Sequence, residues 1–224
     1  MDWQAFWLTF RLAALVALVL AVLGLPIAYW IAYSRRRWRF LVEAMVALPI
    51  VLPPTVLGFY VLVALGSHSP LGRWWQAITG HTLAFTFGGL VIGSIVYSLP
   101  FAVQPFAASF TLVDARLIAA SATLGASRLQ TFFRVILPLS LPGLVTGVSL
   151  SFAHTMGEFG VVLMVGGNIP GVTKTVSIDI YDKVQALDYA GANETALVLL
   201  AISFAVLSLV YGVNRRVRIA LPWK

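Results

Sequence analysis

Leu12-Ala13-Ala14-Leu15-Val16-Ala17-Leu18-Val19-Leu20-Ala21-Val22-Leu23-Gly24-Leu25-Pro26-Ile27-Ala28-Tyr29-Trp30 carries no charged side chain, and Ser34-Arg35-Arg36-Arg37-Trp38-Arg39 follows it. A helix rises 1.5 Å per residue, so about 20 apolar residues cross the hydrocarbon of a bilayer. Inside that hydrocarbon each backbone N–H and C=O must be satisfied within the segment, which reads this run as a transmembrane helix. Trp3, Trp7, Tyr29, Trp30 and Tyr33 lie near its two ends, where amphipathic rings prefer the interface. A cleaved signal segment fits less well. Its apolar core would be about 7–15 residues, and here Asp2 precedes the run and arginines, not small residues, follow it.

Four more stretches have the same character: Ala44 to Gly66, Thr82 to Val113, Val135 to about Val165, and Thr195 to Asn214. The expectation is an all-α integral membrane chain of one domain, 5–216, with five transmembrane helices near 8–33, 43–66, 83–111, 139–165 and 194–214. Composition agrees. Of 224 residues, 60% are apolar and 10% charged, too little charge for the solvated shell of a soluble domain. Mean hydropathy is +0.92. An ordinary cytosolic enzyme, a disordered chain and a nucleic-acid module are excluded on that ground. No cysteine is present, which removes disulfides, thiolate metal sites and thiol nucleophiles.

The net charge of +7 is unevenly placed. Arg35, Arg36, Arg37 and Arg39 follow the first run, Arg116, Arg128 and Arg134 the third, and Arg215, Arg216, Arg218 and Lys224 the fifth. Together they are 11 of the 15 basic residues. The intervening loops hold only Arg73, Lys174 and Lys183. Cytoplasmic loops collect lysine and arginine, so the expected topology puts the N-terminus outside and the C-terminus in the cytoplasm.

Several residues inside the runs need an explanation. Pro49, Pro53, Pro54, Pro100 and Pro105 each remove a backbone donor, leaving either a packing kink or a break lining a pathway. The cluster in Leu48-Pro49-Ile50-Val51-Leu52-Pro53-Pro54 favours a break, because a lone kink needs one proline. Glu158 is the one acidic residue far inside a run, and burying its charge at mid-bilayer costs roughly 2.5–3.5 kcal/mol. It needs a partner or a wet path. His154, four residues earlier on the same helical face, is the expected neighbour. A gate or helix–helix lock and a purely structural pair both remain open. His154-x-x-x-Glu158 supplies too few ligands for zinc, and Gly166 and Gly171 with Thr173-Lys174-Thr175 lack the glycine–lysine order of a phosphate loop. Lys174 to Tyr189 has Val176, Ile180, Val184 and Leu187 at helical spacing, with Asp179, Asp182, Lys183 and Asp188 off that stripe. This predicts an amphipathic helix at the outer surface, for packing or for contact with a delivery protein.

Between the third and fourth runs, Asp114 is a plausible helix N-cap and Gly125 a helix stop, bracketing a short alanine-rich helix. Ala119-Ala120-Ser121-x-x-x-Gly125, nine residues, then Val135-x-Leu137-Pro138 resembles the "EAA" loop of ABC-importer permeases. There the pattern is Glu-Ala-Ala, three residues, Gly, nine residues, Ile-x-Leu-Pro. Ala119 stands for the Glu, Ser121 for the second Ala and Val135 for the Ile. The resemblance extends further. Leu48 to Gly58, Met156-Gly157-Glu158-Phe159-Gly160 and Asn168-Ile169-Pro170-Gly171 with Thr173 and Thr175 look like motifs of molybdate ABC-transporter permeases. Sulfate permeases share part of them, and His154 stands where the family often carries arginine.

The resemblance implies the type I ABC-importer permease fold and a non-catalytic subunit of an ATP-driven importer in a bacterial inner membrane. It implies a second permease copy, two cytoplasmic ATPases that bind ATP and Mg, and an external oxyanion-binding protein; this chain itself holds no cofactor or metal. The loop at Ala119, Ala120, Ser121, Gly125, Val135, Leu137 and Pro138 is the expected ATPase contact. Pro53, Pro54, His154 and Glu158 are pathway or gate candidates, and Asn168, Ile169, Pro170 and Gly171 form the outer-loop motif. Molybdate is the expected substrate, with tungstate or sulfate as alternatives. A secondary transporter would usually show an inverted repeat, and a membrane enzyme a catalytic cluster; neither is visible.

Overall fold

The computed structural model describes the backbone of residues 1–220 and the side chains of residues 1–212. The C-terminal basic group at Arg215, Arg216, Arg218 and Lys224 therefore falls outside the described side chains. Among the described residues every regular element is helical: α1 (Trp3–Tyr33), α2 (Arg39–Val51), α3 (Pro54–Leu65), α4 (Pro70–Thr79), α5 (Phe87–Thr111), α6 (Ala115–Thr123), α7 (Arg128–Thr131), a π turn (Phe132–Ile136), α8 (Leu137–Met156), α9 (Gly160–Gly166), α10 (Val176–Gln185) and α11 (Tyr189–Ala220).

Side-chain caps open several of the helices. The Asp2 carboxylate accepts from the Ala5 N–H at 3.0 Å, Ser69 from Gly72 at 2.8 Å, and Thr86 from Gly89 at 3.2 Å. Each satisfies one of the donors a helix N-terminus leaves free. Among the described residues four helices are long and apolar enough to cross a membrane: Trp3–Tyr33, Phe87–Thr111, the continuous Arg128–Met156, and Tyr189–Gly212.

The second run differs from a single straight crossing. It is the pair α2 and α3, bent by 112°. Leu52 precedes Pro53 and Pro53 precedes Pro54, and a residue before proline is driven out of the helical region. Both are extended accordingly, with ψ of 138° and 135°. Pro49 stays inside α2, and Pro100 and Pro105 inside an unbroken α5. The third run yields a helix only from Phe87, because Leu83 and Ala84 are buried in a non-helical stretch and the Phe85 N–H donates to the Val165 carbonyl at 2.9 Å, while the Phe85 ring stays exposed. The fourth run starts earlier, at Arg128, and ends as two helices. α8 stops at Met156 with Gly157 as its cap, and α9 resumes at Gly160.

The core lies where α1, α5 and α8 meet. Leu12, Val16 and Leu20 of α1 face Val103, Phe106 and Phe110 of α5 and Leu144 of α8. Lipid tails are as apolar as leucine, so close packing rather than water exclusion holds such helices together. Small residues permit it. A Cβ on Gly143 would collide with the Ser109 side chain, and one on Gly147 would come within 2.8 Å of the Ala102 carbonyl oxygen.

α10 corrects the expected stripe. Val176 and Ile178 are fully buried and Asp179 is 4% exposed, whereas Val184 and Leu187 are exposed. Asp179, off the apolar stripe and expected on the wet face, lies inside. It is buried because two lysines meet it, as described below.

Candidate functional site

Three groups of sequence-selected residues occupy three separate places. The first is the α6 loop. The Asp114 carboxylate accepts from the Arg116 N–H at 2.8 Å and opens α6. At its other end the Gly125 N–H donates to the Ala122 carbonyl at 3.0 Å and the Ala126 N–H to the Ser121 carbonyl at 3.1 Å. This crossed pair closes a helix through a left-handed residue, and Gly125 has φ of +78°. Ser127 and Gln130 then form a reciprocal capping box. No residue of α6 is buried. Ala119 and Ala120 are exposed, and Leu117 and Leu124 project unpaired from the same segment. The Ser121 hydroxyl contacts that of Thr131, tying α6 to the end of α7.

Val135, Leu137 and Pro138 do not lie on α6. They occupy the π turn and the first residues of α8, half-buried at the base of the loop. The Leu137 N–H reaches back five residues to the Phe132 carbonyl. Pro138 has no N–H to continue the ordinary ladder, and the widened turn accommodates that loss. The motif thus has two halves: an exposed helix and the rigid root that carries it.

The second place is the helix break. Pro54 and Thr55 of α3, Tyr97 of α5, His154 of α8 and Glu158 between α8 and α9 line a cavity of about 550 Å³. Pro53 stands at the bend beside it. The predicted His154–Glu158 pair is absent, because the helix ends between them and places them on different backbone directions. His154 Nδ1 instead lies 2.9 Å from Ser98 Oγ, which lies 2.9 Å from Thr155 Oγ1. The imidazole stacks on Phe101, with centroids 3.9 Å apart. Glu158 is 4% exposed; neither carboxylate oxygen makes a well-formed hydrogen bond among the described residues, and the Ser94 side chain of α5 is a polar neighbour of the carboxyl. A buried carboxyl without a hydrogen bond is costly, which makes this position the candidate site among the three. Gly160 lets α9 approach α3, since a Cβ there would meet the Pro54 Cβ at 2.6 Å.

Sequence reasoning missed Ser98, Thr155 and Tyr97. A signal existed: Ser94 and Ser98, and likewise Ser151 and Thr155, are four residues apart, a polar stripe on each of two apolar helices.

The third place is the segment after α9. Asn168, Ile169, Pro170 and Gly171 are exposed at the tip of a tight loop, with positive φ at Gly167 (65°) and Gly171 (74°). The Ile169 carbonyl accepts from the N–H groups of Val172, Thr173 and Lys174 at 3.1, 2.9 and 3.1 Å. The Asn168 amide donates to both Asp182 oxygens at 2.8 Å. Lys174 bridges Asp179 at 3.2 Å and Asp182 at 3.1 Å, and Lys183 reaches Asp179 at 2.7 Å. Burial alone would raise the Asp179 carboxyl, but hydrogen bonds from Lys183 and Lys174 and their charges hold it below the usual carboxylate range. Burial would likewise lower Lys174, and its bonds to Asp182 and Asp179 outweigh that and raise it. The loop is therefore clamped by a charge network and by the buried Thr173, whose hydroxyl donates to the Gly166 carbonyl at 2.7 Å and accepts from the Ile169 N–H at 3.1 Å.

Comparison with known proteins fits this geometry. The sequence profile described as "Binding-protein-dependent transport system inner membrane component" matches residues 21–219. The chain is 49% identical to the Azotobacter vinelandii molybdenum transport system permease protein ModB, over 96% of this chain and 95% of that one. It is 33% identical to the Escherichia coli K12 protein of the same name, over 93% and 90%. A probable sulfate transport permease of Prototheca wickerhamii is 32% identical over 92% and 80%. Among solved structures, a chain of the MetNI methionine ABC transporter superposes with a TM-score of 0.73 at 18% identity, over 97% of this chain and 96% of that one. A chain of a bacterial importer of the polysaccharide alginate gives 0.75 at 19%, over 95% and 78%. The helical architecture is that of a type I ABC-importer permease, and with the profile spanning almost its whole length the chain belongs to the family of binding-protein-dependent transport system inner membrane components.

Proposed function

We propose that this chain is the molybdate-translocating permease subunit of an ATP-driven importer in a bacterial inner membrane. The observation that carries the reading is the 49% identity, over nearly the full length of both chains, to a permease whose name states molybdenum transport. The subunit performs no catalysis and binds no cofactor. ATP and Mg belong to two ATPase partners on the cytoplasmic side, a second copy of the chain completes the pathway, and an external binding protein delivers the oxyanion. The exposed α6, with its unpaired Leu117 and Leu124, supports the loop at Ala119, Ala120, Ser121 and Gly125 as the ATPase contact, with Val135, Leu137 and Pro138 as its root. The exposed tip at Asn168, Ile169, Pro170 and Gly171 suits contact with the delivery protein.

Uptake into vesicles by the reconstituted complex tests the substrate. Molybdate and tungstate are tetrahedral dianions of nearly the same size, so excess tungstate blocks molybdate uptake and equal sulfate has little effect. Strong competition by sulfate would transfer the chain to the sulfate branch, to which it is also related.

The cavity at the break is the proposed gate, with Pro53, Pro54, His154 and Glu158 around it. Glu158 repels an oxyanion when charged, so it serves closure rather than binding. Glu158→Ala is expected to lower uptake several-fold with ATPase association intact; parent-like uptake would remove the gate reading.

The proposed topology has five spans, with the bent α2–α3 pair as one crossing, the N-terminus outside and the C-terminus inside; the 11-of-15 basic asymmetry supports it. The chain has no native cysteine, so single cysteines report cleanly. An impermeant thiol reagent applied from outside is expected to label Val172→Cys and spare Ser127→Cys. Labelling of the latter would reverse the topology.

A further inference from the structure

α1 presents a strip of exposed apolar side chains that includes Trp3, Trp7, Phe10, Leu18 and Val22. Arg11 stands on the same strip and is exposed. Among the described residues it makes no ion pair and no hydrogen bond; its one contact of electrostatic kind is with the Phe87 ring, the guanidinium carbon lying 4.9 Å from the centroid. The acid nearest in sequence, Asp2, caps α1 through the Ala5 N–H at 3.0 Å. A notch of about 410 Å³ opens at this point, lined by Gln4, Trp7, Arg11, Phe87 and the Gly171 turn.

A guanidinium carries its charge wherever it sits, and on an exposed apolar strip of a membrane-length helix it must reach the interface or meet an anion from outside the chain. Trp7 lies one turn from Arg11, and tryptophan settles at headgroup level. The cation is thus placed at the depth of lipid phosphates, beside a notch with an amide on its rim. Below it the strip continues as Leu15, Leu18 and Val22, which suits an acyl chain. A free inorganic oxyanion gains nothing from such a strip. We propose that Arg11, with Gln4 and Trp7 at the rim, binds the phosphodiester headgroup of a phospholipid whose acyl chain lies along α1. The site depends on the membrane fold but not on the substrate or on which end of the chain faces out.

Native mass spectrometry of the full chain in detergent, titrated with dioleoylphosphatidylglycerol, tests this. The parent is expected to retain the lipid, and Arg11→Leu to bind it roughly tenfold more weakly, the scale of one charge-assisted contact. Arg73→Leu, an exposed arginine on α4, keeps parent affinity. Phe87→Leu leaves the cation and removes the ring beneath it, and is expected to weaken binding about threefold. Because lipid retention is the readout, failure of molybdate uptake leaves this result unaffected. Parent-like affinity in both Arg11→Leu and Phe87→Leu overturns the site. So does displacement of the lipid by inorganic phosphate at comparable concentration, which would make the notch a free-oxyanion site.

Discussion

A Gly125→Val chain is expected to insert and fold like the parent but to lose most ATPase association and with it most uptake. Gly125 closes α6 at φ of +78°, where an L side chain costs roughly 1–2 kcal/mol and a β-branched one more. Nothing in the chain lies within 4 Å of a Cβ built there, so the added groups project outward, toward whatever docks on α6. Strain and crowding then act together on the exposed end of the helix, while the α1–α5–α8 core is untouched. Gly125→Asn separates the two effects, because asparagine tolerates the left-handed region yet still carries a side chain. Ser67→Val, in an exposed loop away from α6, is the matched control and should change neither quantity. Detergent pull-down of the ATPase subunit and uptake in vesicles are the measurements. A Gly125→Val chain that assembles and transports normally would show that α6 is not the coupling element.

The second large effect belongs to the core. Gly147→Val would set a Cβ 2.6 Å from the Phe106 ring and 2.8 Å from the Ala102 carbonyl oxygen. The ring has little room to turn, since Phe106 is 1% exposed and lies between α1 and α8. The carbonyl is helix backbone and cannot move without bending α5. Overpacking of this kind costs about 1–3 kcal/mol, and a separation of α5 from α8 would cost more. The expected result is a melting temperature lower by roughly 5–10 °C in detergent, on the scale of a chain this size. Gly212→Val is the control, because a Cβ on Gly212 meets nothing within 4 Å. Equal melting temperatures for the two variants would refute the close α5–α8 packing.

Features carried by runs and local rules were legible before any coordinates. The long apolar stretches mark where helices are obligatory, because a backbone in hydrocarbon has no other way to satisfy itself. Asp114 as a cap and Gly125 as a stop follow from groups within a few residues of one another, and both appear in the structure. The break at Pro53-Pro54 was foreseeable for the same reason, though its 112° bend was not. Glu158 stood out as an acid far inside an apolar run and the Asn168–Gly171 turn through the family motif, but their surroundings were not readable from spacing.

Tertiary structure decided the rest. His154 was expected to face Glu158 because a continuous helix would align them. The chain ends α8 at Met156, where α9 turns to pack on α3, so the histidine turns to Ser98 on α5. Asp179 looked solvent-facing because one charge on one helix face has no buried partner. Lys174 and Lys183, one from the preceding loop and one from a turn further along, supply that partner and make its burial affordable. Helix periodicity records what each residue is, while burial of a charge depends on which residues distant in sequence arrive beside it. Local rules therefore determined the helices and their ends, and only the packing of α3, α5, α8 and α9 placed a buried carboxyl without a well-formed hydrogen bond at the wall of a cavity.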